Sequence, residues 1–331
     1  MHLVAAPDKF RGTATAAQVA AAMCAAAVDA GWTCADLPLA DGGEGTVDAF
    51  GGPDRETTVT GPLGRPVVAS WRYGDGTAVV EMAVASGLQL AGGREHNDPL
   101  AATTRGTGEL IAAALDAGAH RVIVGIGGSA TTDGGLGAVE VLAPYAPLDG
   151  SAGAAVLVAC DVTTTFADAA PIFGPQKGAD GQQIIVLHER LERLAERYLA
   201  EYGVDVRALP GAGGAGGLGG GLAALGARLA PGFDLISQER GLPGAAAAAD
   251  LVVTGEGLLD AQSLAGKVVG GVAEVAGIDR TAAVVGDRVD GVPVPFPVLS
   301  LVETYGRERA FADTLACVHD ATAHLLEERT A

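Results

Sequence analysis

The segment Gly125-Ile-Gly-Gly-Ser-Ala-Thr-Thr-Asp-Gly-Gly135 sets the hydroxyls of Ser129, Thr131 and Thr132 and one carboxyl, Asp133, among glycines. Glycine permits backbone conformations that turn successive amides toward a single anion. A helix expected just after the segment would add its N-terminal dipole. Gly127, Gly128, Ser129 and Thr131 are therefore candidate phosphate ligands, and Asp133 is a candidate general base. Gly125, Gly127 and Ala130 also fit the GxGxxA form of a dinucleotide fingerprint, a weak signal by itself.

Five further stretches carry related groups. Ala6-Pro-Asp-Lys-Phe-Arg-Gly12 brings Asp8, Lys9 and Arg11 to the end of the first apolar run, where a plain strand–helix turn is an equal reading. Ala40-Asp-Gly-Gly-Glu-Gly-Thr46 holds two carboxyls, Asp41 and Glu44, suited to Mg²⁺ or to base catalysis, or else to capping a turn. Thr254–Lys267 gathers Glu256, Asp260, Gln262, Ser263 and Lys267. It is not a Walker A loop, because Ala261 and Val268 stand where Gly and Ser or Thr are required. Phe173–Ala179 adds Lys177. Gly211–Gly221, GAGGAGGLGGG, offers Gly214 and Gly217 as a phosphate cradle, with a flexible linker or close helix packing as the plainer explanation.

Acids, glycine-borne amides and sparse cations are what phosphoryl transfer needs, since its catalysis is mostly positioning and charge neutralisation. The six histidines lie outside these loops, so histidine-based acid–base or zinc chemistry has little support. Only three lysines occur, Lys9, Lys177 and Lys267, and each falls in a glycine-containing turn sequence.

These loops need elements to position them. His2–Ala6 and Asp36–Ala40 read as strands around an Ala-rich helix at Thr15–Ala30. Arg121–Ile126, Val156–Cys160, Leu251–Thr254, Ala282–Val285 and Val298–Leu301 read as further strands alternating with helices, among them Leu222–Leu229. Such alternation argues for parallel sheet covered on both faces, with ligands outside the carboxyl ends of the strands. From Thr57 to Met82 the texture changes to short strands joined by turns such as Gly61-Pro62 and Asp75-Gly76. The layout expected is one α/β domain from residues 1–56 and 245–331, with 57–244 inserted as a second.

At 331 residues and 49% hydrophobic composition the chain can bury a core without disulfides or metal. Forty acidic against 21 basic residues give a formal charge of −19, which disfavours nucleic acid and anionic membranes as partners. The same field demands local cations wherever an anionic substrate binds. No membrane-spanning run and no signal-peptide pattern is present, so a cytoplasmic protein is expected. Cys24, Cys34, Cys160 and Cys317 form no CxxC pair and are expected to be thiols.

Together the stretches resemble the glycerate kinase family of the bacterial type, in APDKFRGTATA, ADGGEGTVDA, TTRGTGELI, GIGGSATTDGG, FGPQKGA, GAGGAGGLGGGL and TGEGLLDAQSLAGK. Seven motifs in family order over nearly the whole chain are far more specific than any one. The resemblance implies a two-domain α/β protein, a flavodoxin-like parallel-sheet domain with a second inserted α/β domain. It implies phosphorylation of D-glycerate by ATP with Mg²⁺, giving 2-phosphoglycerate, by a monomer or homodimer. On that reading Asp133 is the base, with Asp41 next. Asp41 and Glu256 lie near the metal, Lys9, Arg11 or both bind the substrate carboxylate or a phosphate, and Lys267, on the same cleft, is a catalytic residue.

The sequence departs from the family pattern in places. Lys9 and Arg11 stand where Ser and Lys are usual, Leu258 where Arg is usual, and Thr164-Thr165 where Asn-Pro is common. The segment from Val141 to Val156 is short. These departures motivate a second reading, a non-catalytic or altered-substrate metabolite-binding relative on the same scaffold.

Overall fold

The computed structural model describes residues 1–330. The chain forms two compact units. One comprises Met1–Asp41, Asp48–Gly51 and the chain from Phe233 onward; the other comprises Gly42–Val47 and Gly52–Gly232. The divisions expected after residues 56 and 244 cut through the strand Arg55–Thr60 and the helix Leu242–Ala248. The strand belongs with the second unit because it pairs along its whole length with Pro66–Gly74. The helix belongs with the first, since Leu242 and Ala246 are buried against Val4, Val252 and Val272.

The first unit is built on five parallel strands in the spatial order Thr33–Asp36, His2–Ala5, Leu251–Thr254, Thr281–Val285, Val298–Ser300. Numbered along the chain this is 2-1-3-4-5, the flavodoxin-like order, whose switch point lies between the first and third strands. Both faces are covered. Helix Ala16–Asp29 and the C-terminal helix Thr314–Thr330 pack on one side through Val19, Met23, Val318 and Leu325. Helix Val268–Ala276 covers the other through Val268 and Val272. The central strands Leu251–Thr254 and Thr281–Val285 are accordingly buried along their whole length, as doubly covered parallel strands must be.

The second unit has a six-stranded sheet in chain order, antiparallel over its first three strands and parallel over the rest. Asp75 and Gly76, at φ 51° and 73°, close the second hairpin. A turn with φ > 0 at both central residues matches the twist of the strands it joins, and Asp-Gly supplies it. The core is distinct from that of the first unit and centres on Trp71, Leu110, Ile123, Leu142, Phe166 and Tyr198.

Three sequence expectations are corrected. The second strand is Thr33–Asp36, not Asp36–Ala40, because its pairing register runs from His2↔Thr33 to Ala5↔Asp36. The helix expected at Leu222–Leu229 lies earlier, within Gly214–Ala224, where left-handed backbone at Ala215, Gly216 and Gly217 puts a kink near its start, and Arg228–Ala230 is an edge strand. Cys24 and Cys34 form a disulfide, bringing the helix Ala16–Asp29 and the strand Thr33–Asp36 together across a turn, whereas Cys160 and Cys317 are buried thiols.

Candidate active site

At the switch point of the five-stranded sheet three backbone segments converge. Asp8 N–H donates to the Gly255 carbonyl at 2.8 Å, and Thr254 Oγ1 donates to the Ala6 carbonyl at 2.9 Å. Gly286 N–H and Asp287 N–H in turn donate to the carbonyls of Glu256 and Gly257. Gly257 makes this convergence possible: a Cβ there would stand 3.1 Å from Arg11 N and 3.3 Å from Phe10 Cα.

The segments wall a cavity of about 630 Å³. Into it converge Asp8, Asp41 and Glu256, with the cations Lys9, Arg11 and Lys267. Lys267 Nζ lies 3.7 Å from Asp41 Oδ2, and Lys9 Nζ 3.5 Å from Asp8 Oδ1. Asp8 is buried, and loss of hydration raises its carboxyl above the usual range; Lys9 opposes this and the Asp41 charge adds to it. Glu256 is pushed up to about 7, chiefly by burial, with Ser263 opposing and the Asp8 and Asp260 charges reinforcing. Its Oε1 is buried and without a hydrogen-bond partner.

Asp260, Gln262 and Ser263 line the same cavity, but Asp260 is occupied in shaping its loop. Its Oδ1 accepts from Gln262 N–H at 2.8 Å, Ser263 N–H at 3.0 Å and Ser263 Oγ at 3.2 Å. Those donors hold its carboxyl below the ordinary range. The cavity also takes Leu258, Asp287, Arg307 and Phe311, of which Arg307 and Phe311 had no signal in the sequence.

The other candidates belong to the second unit, where the geometry changes their roles. Asp133 Oδ2 accepts from Thr104 N–H and Oγ1, both at 2.8 Å, and from Gly137 N–H at 3.3 Å; Oδ1 accepts from Gly135 N–H at 3.1 Å. Burial nevertheless raises its carboxyl, against those donors. These bonds tie the start of the helix Leu136–Leu142 to Thr104. Three backbone N–H groups and one hydroxyl thus surround the Asp133 carboxylate. Lys177 is 2% exposed and donates to the Thr131 carbonyl at 2.6 Å. Burial lowers it to about 7, the Asp133 charge pulling the other way.

The glycine tract is also a packing device. A Cβ at Gly216 would stand 2.0 Å from the Thr131 carbonyl oxygen, and one at Gly217 2.6 Å from Gly134 Cα. Gly214 and Gly217 are both buried, Gly217 in that contact and Gly214 against Cys160 and Ile126. In the 125–135 loop Gly128 is exposed, Gly127 and Ser129 are half-buried, and the rest are buried. A Cβ at Gly127 would fall 2.7 Å from Gly43 Cα, so this glycine serves a close backbone approach as well.

The model of the glycerate kinase family matches residues 3–152 and 146–293. Glycerate 2-kinase of Escherichia coli K12 is 42% identical over an alignment of 318 residues, covering 83% of this chain and 82% of the relative. Glycerate kinase of Bacillus subtilis 168 is 42% identical over 313 residues with the same coverage of both. A crystal structure from Salmonella typhimurium LT2, described as a glycerate kinase 2, superposes with a TM-score of 0.85 at 36% identity, covering 100% of this chain and 99% of that one.

Proposed function

The chain belongs to the glycerate kinase family, and on that premise we propose that it is a kinase that moves the γ-phosphate of ATP to a hydroxyl of D-glycerate. The product proposed is 2-phosphoglycerate, a choice supported by the name of the E. coli relative. The observation that carries the reading is the convergence of Asp8, Asp41 and Glu256 with Lys9 and Lys267 on one cavity at the sheet's switch point.

A glycerate hydroxyl is a weak nucleophile, so a carboxylate must orient it and accept its proton. Asp41 takes that role in place of Asp133. Lys267, 3.7 Å from Asp41, neutralises charge on the phosphoryl group beside the base. Lys9 and Arg11 supply the positive potential that a carboxylate substrate requires in a chain of net charge −19.

The residues present fit Mg²⁺. Glu256 leaves one buried oxygen unpartnered, and it faces the like charges of Asp8 and Asp260. A hard divalent cation relieves both and needs only one or two protein carboxylates besides phosphate oxygens. Glu256 and Asp8 would hold it, with Asp41 adjacent, and it would supply charge neutralisation on the transferring phosphate.

The non-catalytic alternative loses its support because Leu258 and the short 141–156 segment leave the carboxylate and lysine set intact. No helix among the described residues is long and apolar enough to cross a membrane. We propose a cytoplasmic enzyme, where ATP is at hand, acting as a monomer or homodimer.

The test is ADP release with Mg²⁺-ATP and D-glycerate, L-glycerate or other small hydroxy acids, the product being identified by NMR. D-glycerate is expected to support turnover and to yield the 2-phosphate. Asp41→Asn is expected to lower kcat at least about a hundredfold, as loss of a general base does. Absence of D-glycerate-dependent ADP release overturns the activity; an Asp41→Asn enzyme with wild-type kcat overturns the base.

A further inference from the structure

The cleft has a wall that transfer to a three-carbon acid does not use. Leu258 and Phe311 both line it, and each is 52% exposed. They are tied together. Leu258 pairs in register with Asp287 on the adjacent short strand, and Asp287 Oδ2 receives Arg307 Nη1 at 3.5 Å. The Arg307 guanidinium in turn lies 4.9 Å from the centre of the Phe311 ring. Ala310, next in the chain, is buried in the core, which anchors the short helix Arg307–Ala312 and fixes where Phe311 stands. Leu259, beside Leu258, is likewise fully buried.

An apolar surface with an aromatic ring and a cation in the wall of a cavity has no use for glycerate, a fully polar acid. The cavity volume of about 630 Å³ is that of a site enclosing a much larger ligand. Bases stack on aromatic side chains and on guanidinium planes, and every purine has a face to offer.

We propose that Phe311, Leu258 and Arg307 form the binding site for the purine base of the phosphate donor, Phe311 being the stacking face and Leu258 the apolar border. The assignment rests on the kinase reading for its donor. It makes these residues determinants of nucleotide affinity with no part in recognising the acid.

The test is titration with the fluorescent analogue mant-ADP in the absence of acceptor. Phe311→Ala and Phe311→Leu are expected to raise its Kd about tenfold to a hundredfold, as loss of one stacked base does. Phe311→Trp is expected to retain binding within about threefold, because it keeps a stacking face. Inorganic triphosphate, which has no base, should compete equally well against labelled nucleotide on a per-site basis in wild type and Phe311→Ala. The KM for ATP should rise in Phe311→Ala while that for D-glycerate stays within about twofold.

An unchanged mant-ADP Kd in both Phe311→Ala and Phe311→Leu overturns the site, as does an equal loss of triphosphate affinity. Failure of the kinase reading looks different. Wild type would then bind mant-ADP in a Phe311-dependent way yet release no ADP with D-glycerate, which supports the base site and removes the acceptor.

Discussion

Lys177 illustrates how one side chain takes its meaning from its surroundings. In the sequence it is one of three scarce lysines and a candidate phosphate ligand; in the fold it is buried and its ammonium holds the Thr131 carbonyl. Burial brings it from an ordinary 10.5 to about 7. Between those values the unfolded chain binds the proton and the folded chain does not, so this group makes stability rise with pH from about 7 to about 10. Lys177→Met removes the titration. Its melting temperature relative to wild type is expected to fall by several degrees over that pH range, because only wild type gains. A pH-independent difference between the two would show that Lys177 is charged throughout, its pKa set by Asp133 rather than by burial.

At the scale of elements, the 211–221 tract shows what glycine is for. It matches a phosphate-binding fingerprint on paper, yet its residues let the helix Gly214–Ala224 lie against the 131–135 loop with no side chains between. Gly216 combines φ +69° with a would-be Cβ 2.0 Å from backbone oxygen, so no rotamer change relieves a substitution. Gly216→Ala is therefore expected to destabilise the second unit by about 3 kcal/mol or more, adding a left-handed backbone penalty to an overpacked contact. Denaturant unfolding measures it. A loss below about 1 kcal/mol would mean that the loop and helix can separate without cost, and that the tract is free to serve a ligand.

Each unit buries its own apolar residues, and the two tryptophans of the sequence divide between the units: Trp32 in the first and Trp71 in the second, both buried. Each is thus a reporter for one unit. In urea, Trp71→Phe and Trp32→Phe proteins are expected to give two distinct midpoints. Saturating Mg²⁺-ATP should raise the midpoint seen by Trp32, since a ligand at a hundred times its Kd adds about 2.7 kcal/mol to the unit that binds it. Coincident midpoints in both proteins would show a single cooperative unit. A shift confined to Trp71 would move the nucleotide to the second unit.

The sequence by itself determined the alternation of strands and helices, the hairpin texture after residue 56, and every loop at which chemistry was expected. Those features depend on local pattern: apolar periodicity, Asp-Gly turns, and glycines beside acids and hydroxyls. It also carried the seven motifs that mark the family. Tertiary structure alone decided which loops hold open chemistry. Asp41 and Asp133 look alike in sequence, each an acid next to glycine; only packing shows that Asp133 accepts from Thr104, Gly135 and Gly137 while Asp41 lines the cavity with Lys267 3.7 Å away. Pairing of Cys24 with Cys34 and the arrival of Arg307 and Phe311 beside Leu258 have the same origin. A residue's role in these cases depends on neighbours set by the strand order 2-1-3-4-5, which joins the first strand to the third across some 245 residues, a separation no local pattern records.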